Sequence, residues 1–276
     1  GSKEGMQEKE NVELENPSAG KAPTNDVGSM EGMEEEEDVE LENPPAEGIW
    51  DSIYFGNCPQ GDAAGNTKEP IKWRVLSING NDAFLLADQI LAIHDYYDRW
   101  ENMGEDVTWE TCSLRAWLNN EFINEVFSEE ERKSIMQVEL DNSLDPRFYE
   151  EFPNRTDTGG NTTEDKIFCL SAEDAVNPSY GFAGTWEESP TRMATYTQLA
   201  QSSEKLDGIN NFEEDMSSLV SQNWWLRTTG WPVVMGAGDE GMSVMGTGML
   251  EKGGALAPEA IGVRPALHLD ISDTSV

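Results

Sequence analysis

The chain has 276 residues, with 18 lysines and arginines against 54 aspartates and glutamates, which gives a formal net charge of −36. Binding to nucleic acids and anionic lipids depends on neutralising phosphates with lysine and arginine, so this charge argues against DNA, RNA and acidic membranes as partners. No apolar run approaches the roughly 18–20 residues needed to span a membrane, and direct membrane insertion is not expected. The charge is compatible with cationic partners, with calcium, or simply with solubility.

The first 48 residues differ in composition from the rest of the chain. They contain no aromatic residue and carry 15 acidic residues against three lysines. Such a segment cannot bury enough apolar surface to offset its chain entropy, so we expect residues 1–48 to form a disordered, acidic stalk. The sequence Val-Glu-Leu-Glu-Asn-Pro begins at Val12 and again at Val39. This repeat is typical of a duplicated linker, although its alternating Val and Leu could also add as a strand to a sheet edge.

Residues 49–276 predict one folded domain, which opens with strands. Residues 53–56 predict a first short strand. The alternating segments 71–76 and 83–87 are separated by a tight Asn-Gly-Asn turn, and together they predict a hairpin.

Three helices are predicted next. Residues 113–127 place apolar side chains on one face of an amphipathic helix. A capping box begins a second helix at Ser128, and a third short helix begins near Ser171 and ends before Pro178. Residues 141–165 are polar and rich in Asn, Thr, Gly and Pro, so they predict a long surface loop.

The last third of the domain predicts short strands around a glycine-rich segment, residues 230–256. Glycines at this density favour turns and short hairpins whose side chains project outward. Two stiffer blocks flank the segment: Trp-Trp-Leu-Arg at 224–227 and Gly-Val-Arg-Pro-Ala-Leu at 262–267. A stiff scaffold that holds loose loops rich in side chains is the arrangement that binding sites use. Because strands and helices are segregated along the chain, the predicted class is α+β with mostly antiparallel pairing.

The sequence contains no recognised catalytic motif of the nucleophile-elbow, P-loop, zinc-protease or dinucleotide type. His94 follows an apolar run and His268 lies in a predicted strand, so we expect both to be structural. The chain has two histidines and three well-separated cysteines, and this set does not predict a zinc site. Calcium is the one metal that remains possible, although Asp239-Glu240-Gly241 is interpreted as a turn; no cofactor is expected.

Five blocks in this order resemble a known family: they begin at Pro70 (PIKWRVL), Val107 (VTWET), Leu114 (LRAWLN), Trp224 (WWLR) and Gly262 (GVRPAL). The family is an uncharacterised bacterial one, thought to share the C-type lectin fold of the formylglycine-generating-enzyme type. The resemblance covers roughly residues 49–272. It implies a non-catalytic C-type-lectin-like domain with short strands and two to three helices, preceded by the stalk.

The resemblance also implies a hypothesis about function. Some proteins with this fold are targets of diversity-generating retroelements, which randomise codons in a C-terminal region between fixed anchors. Residues 231–256 occupy the matching position. By that resemblance, the ligand-facing residues of a variable protein would be Trp231, Val233, Met235, Met242, Met245, Thr247 and Glu251. The structural anchors would be Trp224, Trp225, Arg227 and Arg264, with the arginines paired to buried carboxylates or carbonyls.

Two departures limit what the resemblance implies. The enzyme relatives use a nearby pair of C-terminal cysteines, whereas the last cysteine here is Cys169. Calcium-dependent sugar-binding lectins carry Glu-Pro-Asn or Gln-Pro-Asp with Trp-Asn-Asp, whereas this chain has only Glu-Asn-Pro in its stalk. Sulfatase-modifying oxidation and mannose-type calcium binding are therefore not carried over.

We therefore expect a non-catalytic ligand-binding protein, secreted or displayed at a cell surface, that binds through the 231–256 loops. A protein is the first expected partner, and a glycan stacked on Trp231 or Trp186 is the second. The alternatives are a carbohydrate-binding module, a hydrolase with two carboxylates facing each other across a pocket, and a structural envelope protein whose 231–256 side chains are buried.

Overall fold

A computed structural model describes residues 51–97, 107–144, 159–204, 222–230, 240–256 and 260–272. All of these residues belong to the unit Asn43–Val276. The expected stalk, residues 1–48, lies outside the described residues.

The strands in the described part of the chain are β1 (Ser52–Pro59), β2 (Lys68–Asn79), β3 (Asp82–Ala87), β4 (Ala92–Asp95), β5 (Val138–Leu140), β6 (Thr163–Asp165), β7 (Ile167–Phe168), β8 (Trp224–Thr229), β9 (Glu240–Val244), β10 (Leu250–Leu256), β11 (Ala260–Val263) and β12 (Ala266–Asp270). The helices are α1 (Ser113–Trp117), a π-helical turn (Leu118–Phe122), α2 (Ile123–Val126), α3 (Glu129–Ser134), α4 (Gln198–Gln201) and 3₁₀ turns at Asp174–Val176, Pro178–Tyr180 and Pro190–Arg192.

Two five-stranded sheets form the framework. The first has the order β1-β2-β3-β12-β7, and the second has the order β10-β9-β8-β11-β4. A two-stranded sheet pairs β5 with β6. Among the named strands of the described residues, every pairing is antiparallel except that of β11 with β8, where Gly262 lies opposite Trp224. The predicted α+β class with mostly antiparallel strands is confirmed.

The amphipathic helix of residues 113–127 forms as predicted, but it is not a regular α-helix. It runs from α1 through the π-helical turn into α2. Leu114, Leu118 and Phe122 are buried, as the helical period predicts. The π turn adds a residue to one turn, and the residues after it, such as Ile123, are also brought onto the buried side.

The capping predictions hold in detail for the second helix. The Ser128 hydroxyl accepts a hydrogen bond from the backbone N–H of Glu131, and the Glu131 carboxylate accepts one from the backbone N–H of Ser128. The segment after Ser171 forms only a 3₁₀ turn, although Ser171 and Asp174 cap one another. The predicted loop 141–165 was wrong at its end, where β6 pairs with β5. Residues 145–158 of that loop lie outside the described residues.

Among the described residues, four tryptophans have no exposed surface. Each indole N–H donates to an acceptor: Trp73 to Phe55, Trp109 to Asp165, Trp224 to Arg192 and Trp225 to His94. Because a buried indole N–H without a partner is costly, these bonds fix the orientation of each ring.

No helix among the described residues is both long enough and apolar enough to cross a membrane. The three cysteines, Cys58, Cys112 and Cys169, are buried and unpaired with one another. Burial raises the pKa of Cys58 and of Cys112 to about 12.

Candidate functional site

The Trp-Trp-Leu-Arg block lies in β8, where every residue is buried. Arg227 donates to Asp174 Oδ2 at 2.7 Å and to the carbonyl of Cys169 at 3.2 Å. Tyr96, itself fully buried, donates to the carbonyl of Arg227 at 2.9 Å. The Arg227 side chain therefore joins β8 to the segment that follows β7.

Arg264 is also fully buried, between β11 and β12. Its guanidinium donates to the carbonyls of Ala87 at 2.8 Å and Asp88 at 3.4 Å, and it lies 5.0 Å from the centre of the Trp224 ring. Burial lowers the pKa of Arg264 well below its usual value. Both predicted arginine anchors thus have structural partners, a carboxylate for Arg227 and carbonyls for Arg264.

Arg192 is a third buried arginine among the described residues, and its structural role was not predicted from the sequence. Its Nε donates to the carbonyl of Gly248 at 2.6 Å, and its Nη1 donates to that of Ala183 at 2.9 Å and more weakly to that of Ala175 at 3.4 Å. Its Nη2 donates to the carbonyl of Glu187. The only signal available in the sequence was a rare cation after Pro190 in a polar segment.

The hairpin of β9 and β10 is the described part of the predicted binding segment. At its apex, residues 245–249, the amide of Met245 donates to the carbonyl of Met249 at 2.8 Å, and the amide of Gly248 donates to that of Met245 at 2.7 Å. The amide of Gly246 donates to Asn223 Oδ1 at 2.9 Å, and the amide of Leu250 donates to the carbonyl of Trp186 at 2.9 Å. These bonds, like that of Arg192 to Gly248, use the backbone of the hairpin.

Position 248 has room only for glycine. Its φ is +80°, which L-residues rarely adopt, and a Cβ built there would lie 1.9 Å from the carbonyl oxygen of Ser189. No side chain fits in that space, so the apex can pack closely against the 3₁₀ turn that begins at Pro190.

The predicted ligand-facing residues fall into different environments. Thr247 is exposed, and Met245 and Glu251 are partly buried. Glu251 accepts a hydrogen bond of 3.1 Å from the hydroxyl of buried Ser243. The structure thus brings these three residues to the apex and the start of β10.

The prediction that the Met242 side chain faces a ligand was wrong. This side chain has no exposed surface and packs in the hydrophobic core, because β9 is an inner strand of its sheet and is covered on both faces. The predicted glycan contact at Trp186 is also wrong, since that ring is 8% exposed and belongs to the core. Trp231, Val233 and Met235 lie outside the described residues.

The histidines have structural partners. His94 Nδ1 lies 2.7 Å from the carbonyl of Asp95, and its ring stacks on Trp117. His268 Nδ1 lies 2.7 Å from Asp82 Oδ1, and its ring stacks on Phe84.

The possible calcium segment is partly a strand. The predicted turn Asp239-Glu240-Gly241 was wrong for its last two residues, which begin β9, and Asp239 is not described. Over the described ranges, no group of three or more His, Cys, Asp and Glu side chains is placed to hold a metal.

A groove of about 400 Å³ lies beside the first sheet, and no residue of the hairpin lines it. The size falls within the roughly 300–1,000 Å³ usual for small-ligand sites. Ile71 and Leu91, both buried, line it together with residues that are mostly polar or aromatic. No local pattern in the sequence predicts this groove, because its lining comes from segments as far apart as residues 54 and 198.

Comparison with known proteins gives a family match over residues 80–271, to a family described as "Domain of unknown function (DUF6273)". No curated protein and no solved structure matches the chain.

Proposed function

The chain belongs to the DUF6273 family, and on this premise we propose that it is a non-catalytic ligand-binding protein of C-type-lectin-like fold. The proposed contact surface is the 231–256 segment, with Met245, Thr247 and Glu251 as its described members. The lectin-like interpretation is supported by the topology: β1 and β12, the first and last described strands, belong to the same sheet.

The observation that carries the proposal is the way in which the hairpin apex is held. The hydrogen bonds that fix residues 245–249 and the adjoining Leu250 use backbone atoms of the hairpin, while their partners outside it, Arg192, Asn223 and Trp186, belong to other segments. The side chains of Met245 and Thr247 can therefore change without removing these bonds. A diversified binding site needs a backbone held by fixed hydrogen-bond partners and a surface that tolerates substitution of its side chains.

The proposed partner is a protein, with a glycan second. Met245 is partly exposed, and a methionine side chain is flexible and polarizable, so it adapts to differently shaped apolar surfaces. We propose secretion or display at a cell surface as the setting for this binding, and diversification by a retroelement as the source of specificity.

A display experiment tests the proposal. The full chain is displayed on yeast with Trp231, Val233, Met235, Met245, Thr247 and Glu251 randomised together, and a matched library randomises the buried residues Met242, Val244 and Leu250. We expect most clones of the first library to remain folded, and we expect selection against a model protein such as lysozyme to yield binders. The matched library should lose most of its folded clones, because its positions are buried.

Equal loss of folded clones in the two libraries would contradict the proposal. So would a first library that remains folded but yields no binder to any of several unrelated protein targets.

A further inference from the structure

Tyr54 is the most exposed large apolar side chain among the described residues, at 65%. It lies opposite Lys72 in the pairing of β1 with β2, and a bulge follows directly, with Gly56 at φ +71°. The bulge reverses the alternation of β1, so that Phe55 and Cys58 both point inward while Tyr54 points out. An exposed tyrosine ring at the edge of a groove is a flat surface available for stacking.

Two glutamines that line the groove are held in fixed orientations. Gln60 Nε2 donates to the carbonyls of Glu69 at 3.1 Å and Pro70 at 3.0 Å. Carbonyls only accept, so the nitrogen must face them and the amide oxygen of Gln60 must point away. Gln89 Nε2 likewise donates to Thr195 Oγ1 at 3.2 Å and to the carbonyl of Tyr196 at 3.4 Å. Each glutamine therefore presents an oriented hydrogen-bond acceptor.

The walls of the groove are built from hydrogen-bonded backbone. Ile90 exchanges two hydrogen bonds with the segment around Tyr196, since its amide donates to the carbonyl of Thr195 and its carbonyl accepts from the amide of Thr197. Gln198, the first residue of α4, lines the groove, and just after this helix the hydroxyl of Ser202 donates to the carbonyl of Ala63. The site is thus formed before a ligand arrives, which lowers the entropy lost on binding.

The charges in the groove do not favour an anionic ligand. Lys72, 3.3 Å from Asp88, shares that carboxylate with Arg74 at 2.6 Å, and Glu69, the other charged residue of the lining, balances the remaining positive charge. The net charge of −36 opposes an anion further. Hydroxyl groups, by contrast, can donate to the two glutamine oxygens.

We propose that this groove binds a neutral oligosaccharide. A sugar ring stacks on Tyr54 through its C–H face, and its hydroxyls donate to the amide oxygens of Gln60 and Gln89. Tyr196, whose pKa is raised to about 12 by burial, remains protonated and adds a second aromatic wall. This site does not depend on the hairpin, and neither proposal requires the other.

The test begins with the full chain on a microarray of neutral glycans, followed by titration calorimetry with the best-bound glycan. The variants are Tyr54→Ala, Tyr54→Phe and Gln89→Ala. Ile78→Ala is the matched control, because Ile78 is 60% exposed on β2 and does not line the groove. Circular dichroism checks that each variant is folded.

We expect Tyr54→Ala and Gln89→Ala each to weaken binding about tenfold or more, with Tyr54→Phe and Ile78→Ala close to the parent protein. Binding should change little with salt, because no charge is neutralised. The proposal is overturned if no neutral glycan binds, or if Tyr54→Ala and Gln89→Ala leave the affinity unchanged. Substitution of Met245 and Thr247 should not alter glycan binding, so failure here and failure of the hairpin proposal are distinguishable.

Discussion

Replacement of Arg192 by Met tests whether the hairpin is held through its backbone. The variant keeps an apolar stem of similar length but removes the donors to the carbonyls of Gly248, Ala183 and Glu187, the three closest of the four that it contacts. A buried carbonyl left without a donor costs about 1–3 kcal/mol, so the gross loss is roughly 3–9 kcal/mol. Part of this loss of stability is offset, because the variant no longer buries the guanidinium, whose burial costs several kcal/mol.

We therefore expect Arg192→Met to lower the free energy of unfolding by about 3 kcal/mol. Urea denaturation followed by tryptophan fluorescence measures this change, since four tryptophans have no exposed surface. The control is Lys133→Met, which removes one positive charge from a side chain that is 61% exposed and should change stability by less than about 0.5 kcal/mol.

Hydrogen exchange locates the effect of Arg192→Met. Amides at the apex, residues 245–250, should lose more protection than those of β2, because Gly248 loses its bond to Arg192. The reasoning is refuted if Arg192→Met is no more destabilising than Lys133→Met, or if the apex amides keep their protection.

Three further predictions concern single residues. Gly248→Ala should lower the free energy of unfolding by at least about 2 kcal/mol, as measured by thermal melting. The control, Gly80→Ala, should cost about 1 kcal/mol, because Gly80 also has a positive φ but has no atom within 4 Å of an added Cβ. Equal costs would contradict the close packing at Gly248. Burial acts to raise the pKa of Asp88, but the hydrogen bond and charge of Arg74 and the charge of Lys72 outweigh burial and hold this pKa below its usual range. The stabilisation of the fold by ionised Asp88 should therefore persist above about pH 4 and fade below it. The difference in free energy of unfolding between the parent protein and Asp88→Asn, measured in urea, should narrow on acidification; a constant difference would contradict this. Cys58 and Cys112, with pKa raised to about 12, should resist the thiol reagent DTNB at pH 8 until the chain unfolds; rapid labelling of either in the folded protein would refute their burial.

Local sequence signals predicted most of the described fold. The capping box at Ser128, the turn between β2 and β3, and the apolar face of residues 113–127 each depend on neighbours within a few positions, so they could be read from the sequence. The anchor arginines, Arg227 and Arg264, were predicted because they lie in the two blocks that flank residues 231–256.

Features that depend on distant segments were missed. The family resemblance implied that Met242 faces a ligand, and the glycines around it favoured turns, but its burial is set by the strands on either side of β9. Arg192 contacts carbonyls from four separate residues, and no spacing in the sequence predicts that convergence. The groove joins residues of β1 and β2 with residues 196–198, and only the fold brings these together.

The central claim is tested most directly by sequencing this gene from related strains and counting substitutions at each codon from 222 to 272. The account predicts that substitutions concentrate at Trp231, Val233, Met235, Met245, Thr247 and Glu251, while the anchors and the buried positions Met242 and Gly248 stay constant. An even distribution of substitutions across these codons, or equal variation at Met242 and Thr247, would contradict a diversified binding surface.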